Sequence, residues 1–175
     1  MFNDIARFAM THGYALMTSI LLVGFLLALS YIDMQRFQLP DRLTLPLLWI
    51  GLMLHAVFRP QHLANAVIGA AAGYLCLWAI YWLMKAVTKK EGLGYGDFKL
   101  MAALGAWLGW ESLPFVAFIA SVTGTIMYVL RFLFLRRLGA IPFGPFLAVT
   151  GGIIYISQQV YGLADTQCLY CVTIQ

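Results

Sequence analysis

Residues 98–134 read FKLMAALGAWLGWESLPFVAFIASVTGTIMYVLRFLF, and whether they form one helix or two decides the fold. A helix crossing a bilayer needs about 20 apolar residues at about 1.5 Å rise each, so this run is too long for one crossing. Trp110-Glu111-Ser112-Leu113-Pro114 places a polar residue and a helix breaker within it, where a turn belongs. The run therefore reads as two spans, 98–110 and 114–134. Working outward, the other apolar runs bounded by charge or by Gly and Pro fall at 14–32, 43–58, 63–84 and 141–160. The predicted fold class is all-α, a polytopic membrane protein formed as a bundle of about six transmembrane helices.

Composition requires the same class. The chain is 62% hydrophobic and 10% charged, with a mean hydropathy of +0.84, against about 45–50% apolar and about 25% charged in soluble domains. No linker, low-complexity run or repeat divides the 175 residues, which predicts a single domain over 1–175. The net charge of +4 lies in the loops rather than in a basic patch, which argues against nucleic acid as a partner. With the N-terminus outside, the inner loops hold Arg36, Arg42, Lys85, Lys89, Lys90, Lys99, Arg131, Arg136 and Arg137, nine of the eleven basic residues. Only Arg7 and Arg59 are left outside. If the fourth span dipped in and returned, the Arg131–Arg137 cluster would move outside, so the positive-inside rule favours six spans with both ends out. Trp78, Trp82 and Trp110 near span ends suit interfacial anchors. Ala28-Leu29-Ser30 resembles a signal-peptide cleavage site, but the preceding segment sets Asp4 against Arg7 and has no net positive charge.

Four acidic residues fall on the predicted inner side: Asp33, Asp41, Glu91 and Asp97. Glu91 follows Lys89 and Lys90 in a polar loop and reads as solvated. Asp41, after Leu39-Pro40, reads first as the N-cap of the second span. Asp97 lies in GLGYGDFKL, residues 92–100. Capping alone needs no glycine at 92, 94 and 96, so those glycines point to positive φ or to close approach of another backbone. The apolar run that follows covers only about 20 Å of a hydrocarbon core of about 30 Å, which draws Asp97 inward. Asp33 ends the first span in Leu29-Ser30-Tyr31-Ile32-Asp33. Either it snorkels to the interface, or the first and fourth spans pack together and pair it with Asp97. Two adjacent carboxylates do not both ionise easily, so one keeps its proton as an acid while the other acts as base on water. That is the chemistry of peptide hydrolysis without a metal or a covalent intermediate.

Four blocks in order carry a resemblance: Tyr31-Ile32-Asp33; Leu39-Pro40-Asp41-Arg42-Leu43-Thr44-Leu45-Pro46-Leu47-Leu48-Trp49; Gly94-Tyr95-Gly96-Asp97-Phe98-Lys99-Leu100; and Pro142-Phe143-Gly144-Pro145. From about Ser30 to Gly152 the chain resembles the type IV prepilin peptidases, GxGD-type aspartic proteases of the bacterial inner membrane. The resemblance implies Asp33 and Asp97 as the catalytic pair. It implies cleavage of the basic leader of prepilins or pseudopilins, which serve type IV pili and type II secretion. The cut falls at the cytoplasmic face, after a glycine and before the hydrophobic pilin helix. The implied partners are that substrate and membrane lipid, with both termini of this chain in the periplasm. Gly94, Gly96 and Lys99 would position substrate, Lys99 being equally a helix-flanking snorkeller. Asp41, Pro142 and Gly144 take structural roles, Asp41 also standing as a partner behind the catalytic pair. Full-length members carry an upstream domain with two CxxC pairs, and many methylate the new pilin N-terminus with S-adenosylmethionine. This chain begins about where the six-span core begins and has three cysteines, fewer than a four-ligand zinc site needs. The expectation is therefore no metal and no cofactor, with methylation of the product left in doubt.

Cys76 in the third span reads as a buried small hydrophobe. Cys168-x-x-Cys171 lies in a tail predicted to face an oxidising compartment, where a disulfide is open to it. His12, His55 and His62 fall toward the outer side. Gly69-x-x-x-Gly73 and Gly105-x-x-x-Gly109 read as close-packing motifs within one bundle. Two other functions share the paired aspartates. An intramembrane GxGD protease of the presenilin or signal peptide peptidase type would cut inside the bilayer. A proton-coupled transporter would use the carboxylates as a relay, although no broken, repeated helices accompany them.

Overall fold

The computed structural model describes residues 2–89, 94–135 and 142–173, with side chains for 13–87, 89, 94–134 and 142–161. Lys90, Glu91, Gly92, Arg136 and Arg137, and the side chains of Asp4, Arg7, His12, Cys168 and Cys171, all named above, lie outside what is described. Six helices follow in order: α1 (Phe2–Arg36), α2 (Asp41–Phe58), α3 (Leu63–Thr88), α4 (Tyr95–Leu108), α5 (Leu113–Leu135) and α6 (Gly144–Thr173). Single 3₁₀ turns, Pro60–His62 and Trp110–Ser112, join α2 to α3 and α4 to α5. Among the described residues there is no strand.

The turn expected inside 98–134 falls where the breaker stands. Gly109 adopts φ 79°, a left-handed conformation costly for other residues, and Pro114 sits in the first turn of α5, where its missing N–H costs nothing. α1 and α6 outrun the apolar limits of 14–32 and 141–160. Backbone hydrogen bonding, not hydropathy, ends a helix, so α1 continues through Asp33 to Arg36. The backbone around Cys168 and Cys171 is likewise helical rather than a loose tail.

α4 is the shortest helix and the most enclosed. From Asp97 to Leu108 every residue but Lys99 is buried, because α4 packs against α2, α3, α5 and α6. The other helices turn large apolar side chains outward, among them Ile20, Leu27, Leu83, Phe118 and Phe134. An apolar exterior around a packed interior suits lipid as solvent. Four segments, Gly13–Arg36, Asp41–Phe58, Pro60–Val87 and Trp110–Phe134, are long and apolar enough to cross a membrane. The chain is thus an all-α polytopic membrane protein. α4 has only 14 residues and is carried by its neighbours rather than by its own length.

Small residues permit this enclosure. A Cβ on Gly69 would collide with the Gly105 carbonyl and one on Gly105 with the Gly69 carbonyl, while Gly73 meets the Met101 carbonyl. The two motifs thus face each other across the α3–α4 contact. Gly51 admits the Trp107 indole, whose Nε1–H donates to the Leu47 carbonyl at 2.8 Å. Cys76 corrects the expectation: it is exposed, on the outward side of α3. α3 is apolar all round, so its sequence does not mark an inner face.

Candidate active site

Asp33 and Asp97 are both buried, at 4% and 5% exposure. Asp33 lies near the end of α1, and its Oδ2 accepts the backbone N–H of Gly144 at 3.1 Å. Gly144 opens α6, where the first amides have no partner within the helix and carry the positive end of its dipole. The carboxylate of one helix therefore satisfies the N-terminus of another. Any side chain at 144 would fill that space, since a Cβ there would stand 2.6 Å from Asp33 Oδ2.

Asp97 occupies the first turn of α4, its backbone N–H donating to the Gly94 carbonyl at 3.1 Å. Gly94 has φ −78°, so the expected positive φ is absent there. Gly96 makes the expected close approach, and its neighbour is Leu39. A Cβ on Gly96 would lie 2.7 Å from Leu39 Cβ and 3.2 Å from its backbone nitrogen. Leu39 also lies beside Gly144, 3.3 Å from where its Cβ would be. One buried leucine in the α1–α2 connection thus wedges between the GxGD turn and the start of α6. Sequence reading gave Leu39 no role; the signal was its place beside Pro40 in the second block of the resemblance.

The carboxylates stand close enough for Asp33 to act on Asp97 electrostatically. Asp97 precedes the apolar run of α4 and belongs to none of the four long spans. Burial first and the Asp33 charge second push its carboxyl up from 3.8 to about 7, against the Gly94 amide, which lowers it. A carboxyl titrating there holds a proton on part of the population at neutral pH. The next residue, Phe98, belongs to an aromatic cluster between α3 and α4. Phe98 meets Tyr81, Tyr95 and Tyr74 at ring separations of 5.7, 5.7 and 6.0 Å, the Tyr81 and Tyr95 hydroxyls are 3.3 Å apart, and Lys85 Nζ donates to Tyr81 at 3.2 Å.

Asp41 departs from its expected role. The N-cap position of α2 is Pro40, with no side-chain cap. Asp41 is the first helical residue and instead pairs with Lys99 at 2.6 Å, joining α2 to α4. An acidic side chain needs no cap geometry when a cation of a neighbouring helix stands within reach. Lys99 is thereby engaged with Asp41 beside the site. His55 and His62 lie by a cavity formed at the other helix ends. Among the described residues no three His, Cys, Asp or Glu side chains are grouped as a metal ion would require.

Residues 20–129 match the model of the type IV leader peptidase family. Three similar relatives are each named prepilin leader peptidase/N-methyltransferase. The protein of Aeromonas salmonicida is 48% identical over 152 residues, covering 85% of this chain and 52% of its own. That of Pseudomonas putida is 52% identical over 139 residues, 78% and 48% of the two chains. That of Pseudomonas aeruginosa is 50% identical over 137 residues, 77% and 47%. The chain spans about half the length of the curated relatives it matches. No solved structure matches.

Proposed function

The chain belongs to the type IV leader peptidase family, and we propose on that footing that it is a membrane-embedded aspartic endopeptidase. It cleaves the leader from type IV prepilins or pseudopilins at the cytoplasmic face of the bacterial inner membrane, with both of its termini in the periplasm. Asp33 and Asp97 are its catalytic pair. The observation that carries this is two buried carboxylates from separate helices at one end of the bundle, where Leu39 packs against both Gly96, next to Asp97, and Gly144, which binds Asp33.

Asp97, holding its proton near neutral pH, donates it to the scissile carbonyl oxygen. Asp33, anchored by the Gly144 amide, takes a proton from the attacking water. The water oxygen bonds to the carbonyl carbon; the C–N bond then breaks as the amine leaves with the proton Asp33 took, and a hydroxyl of the intermediate returns a proton to Asp97 as the carbonyl re-forms. The products are a leader ending in a carboxylate and a pilin with a free N-terminus. The pilin's apolar helix stays in the bilayer, and the basic leader reaches the cytoplasmic loops. Gly94 keeps the approach to Asp97 open for the substrate backbone, and Gly96 admits Leu39, which sets the turn that carries Asp97. Asp41 and Lys99 hold α2 and α4 in register beside the pair, Lys99 acting through Asp41. These residues make one domain of peptidase chemistry over 1–175.

The test is the product mass after membranes carrying the protein meet a prepilin. A leader-sized loss that disappears in Asp33→Asn and in Asp97→Asn supports the pair. Cleavage persisting in either variant, or an intact substrate across several prepilins and pH values with the unaltered protein, overturns it. The same spectrum reads any methyl added to the pilin.

A further inference from the structure

At the end of the bundle away from Asp33 and Asp97 lies a polar cavity of about 400 Å³. Tyr14 stands 19 residues before Asp33 on α1, a rise of about 28 Å, and Gln158 stands 14 residues into α6 from Gly144, about 21 Å. The cavity and the aspartates are thus separated by close to the thickness of a hydrocarbon core, about 30 Å. If one end meets one membrane surface, the other end meets the opposite surface.

The walls carry charge of both signs. Arg59, His55 and His62 come from the end of α2 and the turn after it, and Glu111 from the turn between α4 and α5. The Arg59 guanidinium lies over the Tyr14 ring at 5.2 Å and pairs with no carboxylate among the described residues. His55 Nδ1 is taken by the Gly51 carbonyl at 2.9 Å, which leaves Nε2 for the cavity. The floor is fixed: Gln158 donates to Ser112 Oγ at 2.7 Å, and Tyr155 is buried beneath the cavity. Trp110, at 48% exposure, stands at the rim, as tryptophans do at the headgroup level of a bilayer.

From this we infer that the cavity binds the headgroup of a zwitterionic phospholipid, its phosphate on Arg59 with the imidazoles and its ammonium on Glu111. The volume falls within the range of small-ligand sites, about 300–1,000 Å³. Arginine suits a phosphodiester because its fork donates two parallel hydrogen bonds. A carboxylate in the same cavity disfavours a purely anionic guest and favours one that carries a cation too. The inference stands apart from the proposed peptidase chemistry and reads binding alone.

The experiment uses the full chain in detergent, with binding followed by native mass spectrometry and by thermal shift. The probes are short-chain phosphatidylethanolamine, short-chain phosphatidylglycerol and inorganic phosphate. The expected result is saturable binding of phosphatidylethanolamine, weakened about tenfold or more by Arg59→Gln and by Glu111→Gln. Arg42→Gln, at the aspartate end, leaves it unchanged, and a monodisperse elution profile identifies the folded variants. His62→Gln gives a second reading of the phosphate side should Arg59→Gln not fold. Saturable binding of inorganic phosphate alone, lost in Arg59→Gln, would reassign the cavity to a soluble anion and overturn the lipid. Equal or tighter binding of phosphatidylglycerol would overturn the role of Glu111. No saturable binding of any probe would make the cavity a hydrated vestibule and overturn the inference.

Discussion

Gly144 is a residue whose chemistry lies wholly in what it lacks. Its missing side chain lets Asp33 reach the first amide of α6, so Gly144→Ala should displace the carboxylate. We expect a fall in kcat of at least about tenfold with KM nearly unchanged, and a loss of about 1–3 kcal/mol in stability from overpacking, read by steady-state cleavage and thermal unfolding in detergent. Asp33→Asn and Asp97→Asn should each lower cleavage by about 100-fold or more, the scale of general acid–base catalysis. The raised carboxyl of Asp97 also has a pH signature. With a folded value of about 7 against 3.8 unfolded, the native state binds the extra proton between those limits. Stability is therefore full below about pH 4 and declines as pH rises toward 7. Asp97→Asn should accordingly melt higher than the unaltered protein at pH 8 and not at pH 4. Cleavage by the unaltered protein should fall on the alkaline side with a midpoint near 7, as the acid loses its proton. A flat profile from pH 6 to 9 would remove Asp97 from the acid's role.

Among the elements, α4 has the least freedom. Its backbone touches α3 through Gly69 and Gly105, and each of these glycines reads as a packing residue only once its partner is known. Gly105→Ala should force the two helices apart and lower the melting temperature by several degrees, with cleavage falling because Asp97 rides on the displaced helix. Gly13→Ala, with nothing within 4 Å of the added carbon, is the control and should leave both unchanged. The Asp41–Lys99 pair joins α2 to α4 in the open, with both side chains a third or more exposed. Exposed pairs contribute about 0–1 kcal/mol, so Asp41→Asn should change stability little and leave leader cleavage in place.

Across the whole molecule, the helix ends divide the polar groups into two sets. Asp33, Leu39, Asp41, Asp97, Lys99 and Gly144 gather at one end, while Tyr14, His55, Arg59 and Glu111 gather at the other. In the proposed orientation the first set faces the cytoplasm, as the charge bias predicts. Labelling intact spheroplasts with a membrane-impermeant maleimide tests this, after the native cysteines are replaced by serine. Gln61→Cys, exposed beside His62, should react, and Gln38→Cys, exposed in the α1–α2 connection, should react only after the membrane is opened. The reverse pattern would invert the orientation and move the aspartates to the periplasmic side.

Hydropathy and punctuation by themselves determined the membrane class, the number of helices and the split at Trp110–Pro114. These follow from local energetics: apolar length against bilayer thickness, and backbone rules at Gly and Pro. They left Asp33 either snorkelling at its span end or paired with Asp97, because a charge costs least where a span ends, and the resemblance supplied the pair. Only the tertiary structure decided what each polar group meets. Asp41 turned from an expected cap to the partner of Lys99, Cys76 turned outward, and Leu39 emerged between Gly96 and Gly144. In a chain that is apolar nearly everywhere, periodicity does not separate the inner from the outer face of a helix. Neighbours were therefore settled by packing, where the small residues allow backbones to touch.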